Sequence, residues 1–523
     1  MPIKKLFIGG LDLFVNYVWS NIVTYSPFCS RSERDFFHGK PVKRPDEIED
    51  WSSYYIIITI KSDDALERIR DILKAKGLKE GRDFGSYKDV FECSVPSVRE
   101  SVNLLGDFMN KHTEAANPIM LLLPFEIIRD SINFESFISS YIRARKPTEC
   151  LFFSFLYVLS EQEASLRFGC PVFCLPDLSN GKTEDGGRLE RLSDEERGWI
   201  REMEGRKRSS DQEKSIEESE VWYRYFKTVL EIVRPSKIIY WGNWSRESYI
   251  LGHLAGMCGV PYGYMEHGWL PGTYQVDPRG IMGQSEYAVN PRMFDAMAVD
   301  AVYEVERIKA YIKERKLDTR VFVETAEDNA ALAGVDKTKK TVFLVGMDDH
   351  GMEMNPDCEY WKTYISGVVR STEEALLALA AICEKRNWNL IFKPHPGNPA
   401  PEIAGCKERV TFVRETEIDR LIKMADVVVS ICSAVDYKTL IYGKPLVQLG
   451  INGLLGKGCS YIVGEAAELE DQLALALKEG MTGRQKENFD RLLQILLQRY
   501  LWDDRSERTL RYGLTVERDF IDG

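Results

Sequence analysis

No two cysteines in the chain have C-x-x-C spacing. The eleven cysteines are scattered and odd in number. The nearest pair, Cys170 and Cys174, flanks a short apolar strand candidate with no histidine beside it. A disulfide framework and a zinc-ligand pattern are therefore not expected, and the thiols are read as reduced cytosolic ones. Long apolar runs are also missing. No stretch reaches the ~18 apolar residues that a membrane-spanning helix requires. The longest run, Leu151 to Leu159, is too short and reads as a buried core element. The first ten residues carry two lysines, but Gly and Asp interrupt the apolar stretch and no small-residue cleavage site follows, so a signal peptide is not expected. Positive charge is in deficit, with 69 Lys+Arg against 81 Asp+Glu and a net charge of −12. A chain of that sign is a poor general binder of nucleic-acid phosphate, and nucleic acid is not an expected partner. No internal repeat is visible. The Gly9-Gly10 pair lacks G-x-G-x-x-G spacing and reads as a tight turn.

What is present is ordinary globular composition. Hydrophobic residues make up 44% and charged residues 29% of 523, and that length suggests about three domains. Lys5 to Gly10 reads as a strand entering a glycine turn. Tyr54 to Ile60 is a continuous β-branched run of the kind buried in parallel sheets. Asp64 to Leu73 has helical spacing and Gly77 lies just past it. These place a small Rossmann-like module over 1–112. A second domain is expected over 113–335. It has strands at Ile119 to Leu123 and Pro171 to Leu175, a helix over Glu126 to Arg145, and a charged insertion over about 181–220 read as a solvated helix or a mobile segment. A helix from Val221 to Val233 and a strand from Lys237 to Trp241 follow. The third domain, 336–523, opens on a strand at Lys339 to Gly346. A long helix over Tyr364 to Lys385 comes next, then strands at Trp388 to Phe392, Asp426 to Ser430 and Pro445 to Leu449. An amphipathic helical tail runs from Glu465 to about Arg499. Strands alternating with helices imply right-handed crossovers and parallel sheets. The expected fold class is α/β, a GT-B-like pair of Rossmann-type domains with an extra small N-terminal α/β module.

Open parallel sheets bind ligands at the carboxyl ends of their strands, so the residues after each strand are the candidates. After Phe392 come Lys393, Pro394, His395 and Pro396. Two prolines stiffen the backbone around one histidine. An imidazole so held, next to a lysine, can donate to a phosphate oxygen and stabilise a leaving phosphate. After Val429 come Ser430 and Ser433 at what reads as a helix start, where free N–H groups suit a nucleotide phosphate. After Trp241 the segment from Gly242 to Ser285 gathers Glu266, His267, Asp277 and Arg279 among several glycines and prolines. A carboxylate there could serve as general base or as nucleophile on an anomeric carbon. Asp348, Asp349 and His350 follow the first strand of the third domain. Three adjacent residues do not converge easily on one ion, so they read as a solvated or substrate-facing turn.

At these residues the sequence resembles the capsule polysaccharide biosynthesis family of Gram-negative bacteria, the KpsC/KpsS-type β-Kdo transferases. Lys393-Pro394-His395-Pro396 is similar to that family's K-P-H-P block. Asp426 through Ser430, Ser433 and Gly443-Lys444-Pro445 match the spacing of its D-x-V-x-T-x-x-S…G-K-P block. Glu266 through Pro271, with Asp277, Gly280 and Ser285, is similar to its E-x-G-Y-L-R-P…E-x-x-G…S block. The resemblance spans roughly residues 225 to 460. It departs from the family at Lys438, where a Glu is usual, at Pro271 and Gly272, where an Arg is often found, and at Asp277, which replaces a Glu.

The resemblance implies capsule polysaccharide biosynthesis by a metal-independent GT-B glycosyltransferase. Such an enzyme moves Kdo or a related 2-keto sugar acid from a CMP-linked donor (CMP-Kdo) to a bacterial surface polysaccharide or glycolipid. It implies nucleotide-sugar binding, an oligosaccharide or glycolipid acceptor, no cofactor beyond the donor, and no catalytic metal. It implies a cytoplasmic protein, at most peripheral to the inner face of the inner membrane. Carried over by residue, Glu266 and Asp277 are the acid/base or nucleophile candidates, His395 contacts the donor phosphate, and Ser430 and Ser433 contact the CMP. From their places in the same turns, His267 and His395 join the catalytic candidates, and Lys393 and Arg279 join the donor contacts. Two other readings stand beside this one. A CDP-polyol phosphotransferase of teichoic-acid type would use His267 and His395 as an acid/base pair. A non-catalytic scaffold would keep a degenerate sugar-nucleotide domain, with Lys438 and the N-terminal module as its motive.

Overall fold

The structure is a computed structural model. It describes residues 4–8, 22–25, 36–37, 40–41, 54–58, 70–71, 73–80, 82–86, 96–113, 117–126, 146, 149–155, 161–176, 178, 189–209, 211–291, 304–315, 325–349, 352, 354–395 and 409–503. The chain falls into two compact units. The first comprises 1–188 with 232–234, and the second 189–231 with 235–523. The expected boundary at 335/336 lies inside the second.

The first unit carries a four-stranded parallel sheet in the order Ile22–Tyr25, Lys4–Ile8, Tyr54–Ile58, Phe84–Ser86. It also carries three parallel strands, Ile119–Glu126, Cys150–Phe155 and Val172–Cys174. The register between the first two slips between Leu123 and Glu126. Pro124 stands in that interval and has no N–H to give the ladder. The expected apolar element at Leu151 to Leu159 is the buried strand Cys150–Phe155 over its first residues. The helix expected over Glu126 to Arg145, the Gly9-Gly10 turn and most of the helix over Asp64 to Leu73 lie outside the described residues.

The second unit begins with helices where the charged insertion was expected. Asp194–Gly205 starts on a Ser193/Glu196 capping box, and Gln212–Val233 is a single helix of 22 residues, beginning well before Val221. A six-stranded sheet, parallel throughout, lies further on. Its order is Thr411–Phe412, Asn389–Lys393, Thr341–Val345, Val427–Ser430, Leu446–Gln448, Tyr461–Ile462. In order of appearance that is 3-2-1-4-5-6, the doubly wound Rossmann arrangement. The continuous apolar strands follow from burial on both faces. Val342, Leu344, Leu390, Phe392, Val427 and Val429 enter one core, and Phe343, Val345, Ile391 and Val428 the other. The α/β class read from the sequence, with Rossmann-type parallel sheets and a small N-terminal α/β module, is the one the described strands form.

Two features were not read from the sequence. The single long helix expected over Tyr364 to Lys385 is two helices, Glu359–Tyr364 and Thr372–Arg386. Between them the Ser366 hydroxyl donates to the Leu449 carbonyl and accepts from the amides of Val368 and Val369. These bonds turn the chain, and Ser371 then caps the second helix. The tail also does more than form helices. After Gly483–Ile495 and a π turn at Leu496–Tyr500, Leu501–Asp503 pairs antiparallel with Thr273–Asp277.

Around that return lies a buried aromatic cluster. Trp269 stacks on Tyr437 at 4.9 Å, Tyr287 meets Tyr500 edge-on at 4.5 Å, and the hydroxyls of Tyr287 and Tyr437 are 3.3 Å apart. Gly453 leaves room for the Tyr287 ring, and a methyl group there would collide with it. Gly453→Ala should therefore cost about 1–3 kcal/mol, read as a lower urea midpoint with the slope unchanged.

Candidate active site

In a sheet of order 3-2-1-4-5-6 the ligand crevice opens where the winding reverses, outside the carboxyl ends of strands 1 and 4. Here those ends are Val345 and Ser430. A second, smaller group of strands in the same unit brings further candidates. Lys237–Trp241 runs parallel to Tyr262–His267, which pairs antiparallel with Thr273–Asp277. Contacts within the unit tie the two groups together. Trp269, three residues past Glu266, stacks on Tyr437 of the helix Val435–Ile441. Trp244, from the loop after Trp241, packs against the apolar cluster that contains Met347 and Val429.

Glu266 lies next to last in its strand. A turn that only glycine permits follows it. The Gly268 amide donates to the Thr273 carbonyl at 2.7 Å, and a side chain on Gly268 would strike Thr273. Among the described residues, one hydrogen bond reaches the Glu266 carboxyl, from the His267 amide to Oε1 at 2.9 Å. The second oxygen faces the glycine at 242, 3.8 Å from where a β-carbon would stand. The residue is half-buried: its edge reaches solvent while protein packs closely around the carboxyl. That loss of water disfavours the anion and pushes its pKa up to about 7. A carboxyl poised there can take or give a proton near neutral pH.

Asp277 is placed quite differently. It is fully buried. Its Oδ1 accepts from the amides of Arg279, Gly280 and Glu286, and its Oδ2 from the Glu286 amide and the Tyr500 hydroxyl at 2.7 Å. Burial raises its pKa to about 6 against the pull of those donors. A carboxylate whose oxygens are filled by its own protein organises the loop and leaves nothing for a substrate. The catalytic role expected of Asp277 is replaced by this structural one. Arg279 is exposed, with its guanidinium 3.5 Å from Glu286. His267 is exposed and rests between Trp241 and Tyr274 at 5.1 and 5.5 Å.

His395 stands two residues beyond the strand Asn389–Lys393. Its side chain is 32% exposed, with Nδ1 3.7 Å from Asp348 Oδ1. Lys393, beside it in sequence, is buried and donates to the Arg414 carbonyl. The two differ because Lys393 is the last residue of the strand and turns inward to Arg414, whereas His395 lies past the strand end. Lys393 is therefore not presented alongside His395, as its sequence position suggested.

Ser430 is buried, and its hydroxyl donates to Asp436. Asn452 donates to the other Asp436 oxygen at 2.6 Å, Gln448 donates to Asn452 at 2.8 Å, and Ser460 donates to Gln448. Burial holds the Asp436 carboxyl up to about 7 despite these donors. Ser430 thus anchors a buried network and does not offer its hydroxyl to a nucleotide. Ser433 is half-buried and accepts from the Val435 amide at 3.2 Å. The helix that follows has seven residues and no side-chain cap, so it supplies little of the dipole that the serine pattern suggested. Lys438, the departure from the family pattern, forms a buried pair with Asp419 at 2.5 Å, and the Tyr442 hydroxyl donates to the same carboxylate. Its charge is accommodated locally.

Asp436, Gln448 and Asn452 were not singled out in the sequence. Asp436 had a weak signal, an acidic residue in the first turn after a strand and a serine. Asn452 had none, because its partners lie on three different elements.

No protein-family model matches the chain, and no curated protein matches it in sequence. Among solved structures it is similar to a KpsC β-Kdo 2,7-transferase from Thermosulfurimonas dismutans. Identity is 16%, 52% of this chain and 89% of that chain are covered, and the TM-score is 0.31. It is similar to the Methanocaldococcus jannaschii UDP-GlcNAc 2-epimerase solved with UDP-GlcNAc and UDP, at 12% identity, with 72% and 99% covered and a TM-score of 0.33. It is also similar to an α,α-trehalose 6-phosphate synthase from Burkholderia multivorans, at 10% identity, with 75% and 96% covered and a TM-score of 0.37. The β-Kdo transferases that the motifs resemble are thus among its structural neighbours. Likenesses of this strength assign no activity to the chain.

Proposed function

We propose that the second unit is a glycosyltransferase that uses a nucleotide-activated sugar, with Glu266 as its general base. The observation that carries this reading is the Glu266 carboxyl. It sits at the carboxyl end of a strand, half-buried, its pKa near neutrality, with one oxygen facing a glycine and not a protein donor. The other candidates of the same loop differ from it, Asp277 by saturation and His267 by exposure between two rings.

The chemistry follows from those positions. An acceptor hydroxyl attacks the anomeric carbon of the donor and gives its proton to Glu266. The bond from that carbon to the phosphate oxygen breaks, and the nucleotide leaves with an added negative charge. His395, at the carboxyl end of the neighbouring Rossmann sheet, donates to that phosphate. Ser433 and the exposed guanidinium of Arg279 are the further donor contacts we assign. In keeping with the motif resemblance, we take the donor to be CMP-linked Kdo or a related 2-keto sugar acid. The acceptor is then a bacterial surface polysaccharide or glycolipid. CMP departs as a monophosphate, a weaker magnesium ligand than a diphosphate, so imidazole and backbone donors can meet the charge in place of a metal. A glycolipid acceptor would place the enzyme in the cytoplasm, peripherally on the inner face of the inner membrane. Among the described residues no helix is long and apolar enough to cross a membrane.

A thermal-shift screen across CMP, CDP and UDP tests the nucleotide. CMP at about 100-fold over its Kd should stabilise by about 2.7 kcal/mol, a rise of several degrees, with smaller shifts for the others. No shift with any of the three at millimolar concentration would return the chain to the scaffold reading. His395→Ala should leave the melting temperature of the free protein nearly unchanged, because the ring is partly exposed and removes little core. It should weaken the CMP response.

A further inference from the structure

We propose that Asp348 is the orienting partner of His395, the two forming a carboxylate–imidazole pair across the carboxyl ends of two adjacent parallel strands. The pair gives His395 its function only if the reading of His395 as the donor-phosphate contact is right. Its existence does not depend on that reading. In the sequence Asp348 was one of three adjacent residues read together as a turn. The structure separates two of them: Asp348 faces His395, while Asp349 accepts from the Thr372 amide at 3.1 Å.

The pair is built from both strands. Thr341–Val345 and Asn389–Lys393 are parallel neighbours, with Val345 opposite Lys393. Past their ends the two chains stay pressed together. The Gly346 amide donates to the Lys393 carbonyl at 2.8 Å. A β-carbon on Gly346 would lie 2.8 Å from the backbone nitrogen of His395 and from the Pro394 α-carbon. Only glycine allows that approach, and the approach brings residues 348 and 395 side by side. Thr372, at the start of the helix Thr372–Arg386, clamps the turn on both sides of Asp348. Its hydroxyl accepts from the Met347 amide at 3.2 Å and its own amide donates to Asp349. Asp348 is thus held by its neighbours on either side, within reach of the imidazole.

Arg208 lies close enough to act on Asp349. Lys393 donates to the Arg414 carbonyl, and Asp349 is taken by Thr372. Asp348 Oδ1 stands 3.7 Å from His395 Nδ1. A small rotation of either side chain makes this a hydrogen bond, and binding commonly tightens such contacts. A carboxylate on Nδ1 fixes the tautomer with its proton there, and Nε2 becomes the nitrogen presented to a ligand. Asp348 is in this sense a positioning residue. It sets which nitrogen of His395 meets the phosphate and favours the protonated ring that donates to it.

Imidazole nitrogen NMR on the full chain reads this without any assay of transfer, with the His395 signals assigned by comparison with His395→Ala. In the wild type the neutral ring should be the Nδ1–H tautomer. Asp348→Ala should release it toward Nε2–H and lower the pKa of the ring. Asp348→Asn, which keeps the shape and loses the charge, should lower the pKa as well. A wild-type ring already in the Nε2–H form, or a pKa unmoved in both variants, overturns the pairing. CMP titrated into the same samples separates the two claims. A His395 signal that moves with CMP supports the phosphate contact. A signal indifferent to millimolar CMP, with the pair's signature intact, upholds the pairing and removes the phosphate role.

Discussion

Glu266→Gln should lower the rate of sugar transfer by about 10²–10⁴-fold, the usual contribution of a positioned general base, while CMP binding stays within a few-fold of wild type. Gln keeps the shape and the hydrogen bond from the His267 amide but cannot take a proton. The pH dependence supplies a second signature. The folded carboxyl is raised to about 7 from an ordinary 4.5 by burial. As a base it works only when ionised, so kcat/KM should climb about tenfold per unit below pH 7 and flatten above it. Glu266→Gln should lose that limb. The same shift has a stability consequence of defined sign. A carboxyl with a raised folded pKa favours the folded state at low pH, below the unfolded value. That advantage disappears as pH rises through about 7. At pH 8 Glu266→Gln should therefore be at least as stable as the wild type. Lost activity without lost stability separates a group that works on substrate from one that holds the fold.

Asp277→Ala should show the opposite pattern, a loss of at least about 3 kcal/mol in unfolding free energy. The substitution strands the amides of Arg279, Gly280 and Glu286 and the hydroxyl of Tyr500. Each unpaired buried donor costs about 1–3 kcal/mol, less where water enters the space left behind. Tyr500 precedes the strand Leu501–Asp503 and lies within the π turn, so the return of the tail onto Thr273–Asp277 should loosen at the same time. Urea unfolding measures the first effect, and amide exchange at residues 501–503 the second. Asp277→Asn retains an acceptor and should cost less. An Asp277→Ala chain of full stability would mean that the buried carboxylate does not organise this loop.

These two carboxylates show how far the sequence could be read. Both stood in one loop of acidic, glycine and proline residues, and both fell on acidic positions of one motif block, Asp277 with Asp in place of Glu. Nothing local distinguished the carboxyl with a single hydrogen bond, Glu266, from the saturated one, Asp277. The difference comes from Tyr500, 223 residues further on, and from a tail strand too short to leave a periodic signal. The serine block behaved in the same way. The alternation of strands and helices placed Ser430 and His395 correctly at strand ends, because buried parallel strands are continuous apolar runs and their ends are marked by polar turns. The direction of each side chain was another matter. Ser430 turns inward to Asp436 and Asn452, and Lys393 turns to Arg414. Those outcomes depend on register and on which partners the fold brings near. The long helix expected over Tyr364 to Lys385 failed for a related reason. Its apolar spacing continues through a break that one hydroxyl, Ser366, enforces by three hydrogen bonds to distant and local backbone. Lys438 shows the converse. It looked like a defect in the motif, yet Asp419 and Tyr442 make a site for it.

The proposal that this chain transfers a sugar from a nucleotide donor, with Glu266 taking the acceptor proton, is tested most directly by mass analysis of the products. Wild type and Glu266→Gln would be incubated with CMP-Kdo and an oligosaccharide acceptor. The wild type should form free CMP and an acceptor heavier by one sugar residue without phosphorus, and the variant almost none. An acceptor that gains phosphorus along with the transferred group, or equal product from both proteins, would contradict it.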